Sequence, residues 1–217
     1  RAAPDGYTLL LGYTGTLAIN PSLSKNVGYA PRSDFAPIGL IASMPVALLA
    51  HPSLPVATVA DIIALSRREG AKLSYGTGAV GTASYLCAEL FKSTANLDFT
   101  IVPYRGTAPF LNDIIAGHVR VGFGVIASAL GNIRAGTLRV VAVAGKSRAS
   151  VLPQVPTVIE AGLPGFEAAV HYGLLAPAGT PRPILEKLSR VLGALVQSED
   201  VRARVASEGG NIVTSGP

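Results

Sequence analysis

The sharpest local pattern in the chain is Gly76-Thr77-Gly78-Ala79-Val80-Gly81, continued by Thr82-Ala83-Ser84. A glycine loop that runs into a helix leaves main-chain N–H groups aimed at the helix mouth, where the dipole favours an anion. Thr77, Thr82 and Ser84 add hydroxyls able to donate to a carboxylate. The same letters match the dinucleotide fingerprint G-x-G-x-x-G, with Asp98 downstream as its acidic partner. Two features oppose that reading. Asp98 precedes the run Phe99-Thr100-Ile101-Val102, so it stands at the start of a strand and on the wrong edge of a sheet to reach a ribose. The segment Lys72-Leu73-Ser74-Tyr75 is too polar for a buried central strand. An anion-binding loop is the stronger reading, and a hydroxyl-capped turn without a ligand is the alternative.

Gly12-Tyr13-Thr14-Gly15-Thr16 repeats the arrangement after an earlier apolar strand. It offers glycines and hydroxyls at a strand end, the place where open α/β sheets bind ligands. An ordinary loop is the alternative. A third loop, Pro103-Tyr104-Arg105-Gly106-Thr107, carries Arg105, which can clamp a carboxylate or simply be solvated near a helix start.

Catalytic groups are sparse. His51, His118 and His171 lie in unrelated contexts, and none has metal-ligand spacing to Cys, Asp or Glu. His171 is the one expected to face a cleft, with a structural role as its alternative. There is no G-x-S-x-G elbow, and Cys87, among Leu86, Ala88 and Leu90, reads as packed core. Acid–base chemistry at neutral pH needs a titratable pair, and none is evident. The pattern points to binding rather than catalysis, with no metal and no cofactor.

The elements that must position these loops alternate between short apolar runs and amphipathic runs, the signature of a mainly parallel α/β sheet. Strands are predicted at Thr8–Gly12, Val46–Ala50, Lys72–Gly76, Thr100–Pro103, Arg120–Phe123, Leu138–Ala144 and Ala168–Ala176. Thr58 and Asp61 form a capping box for a helix burying Ile62, Ile63 and Leu65. A second helix begins near Thr107-Ala108-Pro109, buries Phe110, Leu111, Ile114 and Ile115, and stops at Gly117. A shorter one spans Ser128–Arg134. Pro181-Arg182-Pro183 opens a long helix with Ile184, Leu185, Leu188, Val191, Leu192 and Leu195 at helical spacing, and Asp200–Glu208 closes the chain. Pro45–Pro55 and Ala168–Pro181 each join an apolar strand to proline-rich sequence, which suits crossings between lobes. The predicted architecture is a two-lobed clamp. One lobe takes residues 1–45 and 172–217, the other residues 46–171, and the crossing strands lie near 46–50 and 168–176.

The chain has 217 residues, 49% hydrophobic and 14% charged, which fits a folded protein with real cores. No run approaches the roughly 18 to 20 apolar residues of a membrane helix. The net charge of +5 is scattered rather than striped, and Trp is absent, so a nucleic-acid surface is not expected. With Cys87 as its single cysteine the chain can form no internal disulfide. The opening Ala2-Ala3-Pro4-Asp5-Gly6-Tyr7 reads as a turn leading into a strand that needs a neighbour, and an N-terminal part is expected to be missing.

Several segments recur in order in one known family: Pro4-Asp5-Gly6-Tyr7-Thr8-Leu9-Leu10, Asn20-Pro21-Ser22-Leu23, Asp34-Phe35-Ala36-Pro37-Ile38, Val102-Pro103-Tyr104-Arg105-Gly106, Ile133-Arg134-Ala135-Gly136, Leu152-Pro153-Gln154-Val155-Pro156-Thr157 and Ala176-Pro177-Ala178-Gly179-Thr180-Pro181. Along essentially its whole length the chain resembles the extracytoplasmic solute receptors of the tripartite tricarboxylate transporters, the Bug family. The resemblance implies a periplasmic-binding-protein fold of the second type that closes over a small carboxylate. It also implies a periplasmic location and delivery to two integral membrane transporter subunits. It maps the binding loops onto Thr14, Gly15 and Thr16 in one lobe, and onto Thr77, Gly78, Ala79, Gly81, Thr82 and Ser84 in the other. Tyr104, Arg105, Gly124 and His171 complete the candidate set. Family members begin with a further strand and a Pro/Gly-rich loop and end with a further helix, so one lobe is expected to be incomplete. Weak binding, strand exchange or dimerisation of the fragment would follow. The family often carries Asp where this chain has Gly124, so an amino acid is not the expected ligand. The rival readings are a ligand-sensing domain of a transcription regulator and a small α/β enzyme.

Overall fold

The apolar run after Tyr7 becomes the first strand, β1 (Leu10–Tyr13), two residues later than predicted at its start. A single wide helical turn, Gly15–Ile19, follows and passes directly into α1 (Asn20–Leu23). After the short turn α2 (Pro31–Asp34), β2 (Phe35–Ala50) runs for 16 residues. The expected strand, Val46–Ala50, is only its second part. The computed structural model describes residues 2–216, and these divide into two compact units. The first takes the chain as far as Ser43 and again from Val170 onward. The second is Met44–Ala169.

In the second unit a capping box starts α3 (Val59–Glu69): the Asp61 N–H donates to Thr58 Oγ1 at 3.1 Å, and the Thr58 N–H to Asp61 Oδ2 at 2.8 Å. Ile62 and Leu65 are buried as expected. Ile63 is only half-buried, because the next residue along a helix points about 100° away from the core stripe. The chain then builds β3 (Ser74–Thr77), α4 (Ala83–Thr94), β4 (Thr100–Pro103), α5 (Thr107–Ile115), β5 (Val121–Val125), α6 (Ile126–Arg134) and β6 (Arg139–Val143). β3 pairs parallel with β4 and β5, the strands reached through α4 and α5. The second part of β2 pairs antiparallel with β5 and β6, so the sheet is mixed rather than mainly parallel. Parallel neighbours need a crossover connection, and no helix sets β2 beside either of those strands.

One face of this sheet packs Tyr75, Phe91, Phe99, Phe123 and Phe166 together, with Tyr75 and Phe99 stacked at 3.7 Å between ring centroids. The buried Tyr75 hydroxyl is satisfied by Ser66 Oγ at 2.7 Å. A second cluster gathers Leu49, Phe110, Leu111, Ile114, Ile126 and Leu130, with Ile115 partly buried at its edge. Arg139 at the start of β6 sends its guanidinium to three carbonyls, those of Pro52, Leu54 and Val56.

The first unit is completed by β7 (Ala169–Pro177), α7 (Arg182–Gln197), α8 (Glu199–Ser207) and β8 (Asn211–Ile212). β1 pairs antiparallel with β7 in the register Leu10 to Leu175, Gly12 to Gly173 and Tyr13 to Tyr172. β2 lies beside β7 and also pairs with β8. α7 buries Leu192 and Val196 against Ile38 and Ala176, with Leu185 and Leu188 at the margin. Val191 and Leu195, expected on the core stripe, are 58% and 54% exposed. They lie one residue behind Leu192 and Val196, which rotates them off that stripe.

Candidate functional site

The turn from β3 into α4 is built from its own hydroxyls. Thr77 is fully buried and donates to the Gly78 carbonyl at 2.8 Å. The Gly78 N–H donates to Ser84 Oγ at 3.1 Å, and Ser84 Oγ lies 3.1 Å from Thr82 Oγ1. Thr82 caps α4: it accepts the Tyr85 N–H at 3.3 Å and donates to the Ala79 carbonyl at 2.7 Å. Gly81 has φ +87°, a left-handed conformation costly for any residue with a Cβ, which lets the chain turn into the helix. The Thr82 N–H donates to the Ala79 carbonyl at 3.1 Å, and the first N–H groups of a helix in general lack an intrahelical acceptor. The hydroxyls expected to meet a ligand therefore also hold the turn in shape, while main-chain donors remain at the helix mouth. Asp98 precedes β4 and pairs with Lys92 Nζ at 3.5 Å.

The loop after β1 is held in the same manner. Thr14 Oγ1 accepts the His171 N–H at 2.8 Å, which ties the loop to β7. Thr16 Oγ1 donates to the Tyr13 carbonyl at 3.1 Å, and the Tyr29 hydroxyl donates to the Thr16 carbonyl at 2.6 Å. Gly15 is buried at the start of the wide turn. His171 is half-buried and lines a cavity of about 280 Å3 with Thr14 and Gly12. The link between Thr14 and His171 joins residues 157 positions apart, so local pattern carries no signal for it.

In the third loop Arg105 is exposed, whereas Tyr104 is drawn inward. The Tyr104 hydroxyl donates to Asp113 Oδ2 at 2.7 Å and its ring packs 6.0 Å from Phe110. Burial, followed by the Asp113 charge, pushes its ionisation up to about 12. Gly124 packs tightly rather than lining an opening: a Cβ there would lie 3.1 Å from Leu49 Cδ1 and 3.3 Å from Phe110 Cε1. His51 is engaged with Ser53 Oγ at 2.6 Å, and His118 with Asp113 Oδ1 at 3.3 Å. Cys87 is buried, and desolvation pushes its thiol well above the ordinary range. Among the described residues no group of three or more His, Cys, Asp or Glu could hold a metal ion, and no helix is long and apolar enough to cross a membrane.

The profile of the tripartite tricarboxylate transporter family receptors matches residues 1–213. This chain belongs to that family. It is 36% identical over 209 residues to an Agrobacterium vitis protein of the TAR-I ttuE-ttuC' intergenic region, covering 96% of this chain and 60% of that one. Among solved structures it superimposes on R. palustris Rpa4515 with adipate at a TM-score of 0.94 and 34% identity, over 100% of this chain and 73% of that one. MatC from Rhodopseudomonas palustris with bound malate gives a TM-score of 0.86 at 34% identity, over 97% and 72% of the two chains. The chain thus spans about three-fifths of the length of the curated relative. The likeness confirms the α/β fold of the solved binding proteins, and the family is one of solute receptors rather than enzymes.

Proposed function

We propose that this chain is the ligand-capturing part of a periplasmic receptor that takes up a small organic carboxylate. The receptor delivers it to the integral membrane subunits of a tripartite transporter. The observation that carries the reading is the opening of α4. There Ser84 and Thr82 consume the N–H groups of Gly78 and Tyr85, and the remaining first-turn donors are left for an anion. Charge-assisted bonds of this kind are strong enough to hold a carboxylate without a full counter-ion. The loop of Thr14, Gly15 and Thr16 is the second contributor, with His171 beside it. Arg105, exposed on the third loop, is a further carboxylate partner. Two relatives at 34% identity hold adipate and malate, both dicarboxylates, and this supports the ligand class. Self-association of the chain, through strand exchange or dimerisation, belongs to the same proposal.

Thermal denaturation of the purified protein against a panel of mono-, di- and tricarboxylates tests the reading. A ligand present at a hundred times its Kd stabilises the folded state by about 2.7 kcal/mol, which for a chain of this size raises Tm by about 5 to 10 °C. An unchanged Tm across the whole panel would count decisively against it.

A further inference from the structure

The third loop and the glycine turn are joined through one residue. Tyr104 stands one position beyond β4, where Pro103 lies opposite Thr77 in the register of β3 and β4. Its main-chain N–H donates to the Thr77 carbonyl at 3.1 Å, which ties it to the residue before Gly78. Its ring packs on Phe110, and Phe110 fills the space over Gly76, where a Cβ would meet that ring at 2.5 Å. The Tyr104 hydroxyl donates to Asp113 Oδ2 at 2.7 Å, and Asp113 Oδ1 lies 3.3 Å from His118 Nδ1. Arg105 follows directly, exposed, its side chain without a partner among the described residues. A carboxylate one tyrosine length from an anion-binding turn repels the guest. Its place there calls for a role that offsets the repulsion.

We infer that Asp113 is a positioning residue for ligand capture: without touching the ligand, it holds Tyr104 and thereby sets Arg105 beside the turn at Gly78. The inference rests on the carboxylate reading above. Tyr104 is fixed at its main chain by Thr77, at its ring by Phe110 and at its hydroxyl by Asp113. A loop fixed so firmly at one residue launches the next residue in one direction. Without the Asp113 anchor, Arg105 has more freedom to lose on binding, and ordering it subtracts from affinity. The sign of the effect separates this role from plain electrostatics. Loss of a negative charge near the site favours an anion, whereas loss of the anchor weakens its capture.

Calorimetric titration of the purified protein with adipate, malate, citrate and acetate identifies the tightest binder, and the variants are measured with that acid. Asp113→Ala is expected to weaken it about 10-fold, and Tyr104→Phe, which removes only the hydroxyl, by a similar factor. Asp113→Asn keeps an acceptor oxygen for that hydroxyl and is expected to stay within about 3-fold of the unsubstituted protein. Because Asp113 acts through Tyr104 on Arg105, adding Asp113→Ala to Tyr104→Phe or to Arg105→Gln is expected to cost less than about 2-fold. Tighter binding by Asp113→Ala and Asp113→Asn alike overturns the inference and leaves the carboxylate reading standing. Factors that multiply in full in either double variant do the same. So does a loss in His118→Ala equal to that in Asp113→Ala, which would place the effect at the end of α5. Unchanged affinity in Tyr104→Phe overturns the inference even if Asp113→Ala fails to fold. Binding of none of the four acids overturns both.

Discussion

The main-chain N–H of Gly78 donates to the hydroxyl oxygen of Ser84 at 3.1 Å, and both residues are buried. The serine is a turn-forming group before it is anything else. Ser84→Ala leaves the Gly78 N–H without its acceptor, and an unsatisfied buried donor costs about 1–3 kcal/mol. The expected result is a fall in Tm of several degrees in the ligand-free protein. An unaltered melting curve would show that the bond contributes nothing.

Tyr104 and Asp113 each displace the other's ionisation. The tyrosine, raised from 10.0 to about 12 by burial and by Asp113, stabilises the fold fully below pH 10, and that contribution is lost as pH climbs toward 12. The Tyr104 hydroxyl, followed by His118, holds Asp113 below the usual carboxylate value of 3.8. Its contribution is present above that pH and disappears as pH drops further. Tyr104→Phe is expected to flatten both limbs of the stability profile. Urea midpoints measured from pH 2.5 to 11 check this, together with the loss of one late-ionising tyrosine in the ultraviolet titration.

Two glycines make opposite predictions. Gly131 lies within α6, exposed, and a Cβ there meets nothing within 4 Å. Gly131→Ala is expected to stabilise by about 0.5–1 kcal/mol. Gly122 on β5 is different, since a Cβ would drive into the Gly76 carbonyl oxygen of β3 and the Phe110 ring. Gly122→Ala is expected to cost about 3 kcal/mol or more, because a backbone oxygen in a packed sheet cannot move aside. Chemical denaturation of the two variants side by side gives the comparison.

Cys87 provides a probe of opening. Its thiol is buried and its ionisation is pushed up by desolvation. Iodoacetamide is expected to label it slowly at pH 8 in the native protein and at the rate of a free thiol in denaturant. Prompt labelling of the native protein would mean that α4 opens readily.

What could be read in the sequence was what neighbours in the chain decide. Thr58 and Asp61 announce a cap because they are three residues apart. The loops of Thr14 and Thr82 announce themselves through glycines and hydroxyls in one short stretch. The first part of β2 does not read as a strand, because Pro37, Gly39 and Pro45 argue against one. Its pairing with β7 and β8 comes from residues more than a hundred positions away. A list of apolar residues does not say which stripe wins, so Val191 and Leu195 read as core although they are exposed. The placing of Gly12 opposite Gly173 is a fact of register, and no pattern along β1 alone contains it.

Arg139 grips the carbonyls of Pro52, Leu54 and Val56 from 83 to 87 residues away. The clasp closes a loop of the chain that contains β3, β4 and β5. A contact of such long range must overcome its loop-closure entropy before it contributes. β6 pairs with β2 over a similar separation, so the proline-rich bend is fastened by the same long-range step that closes the sheet.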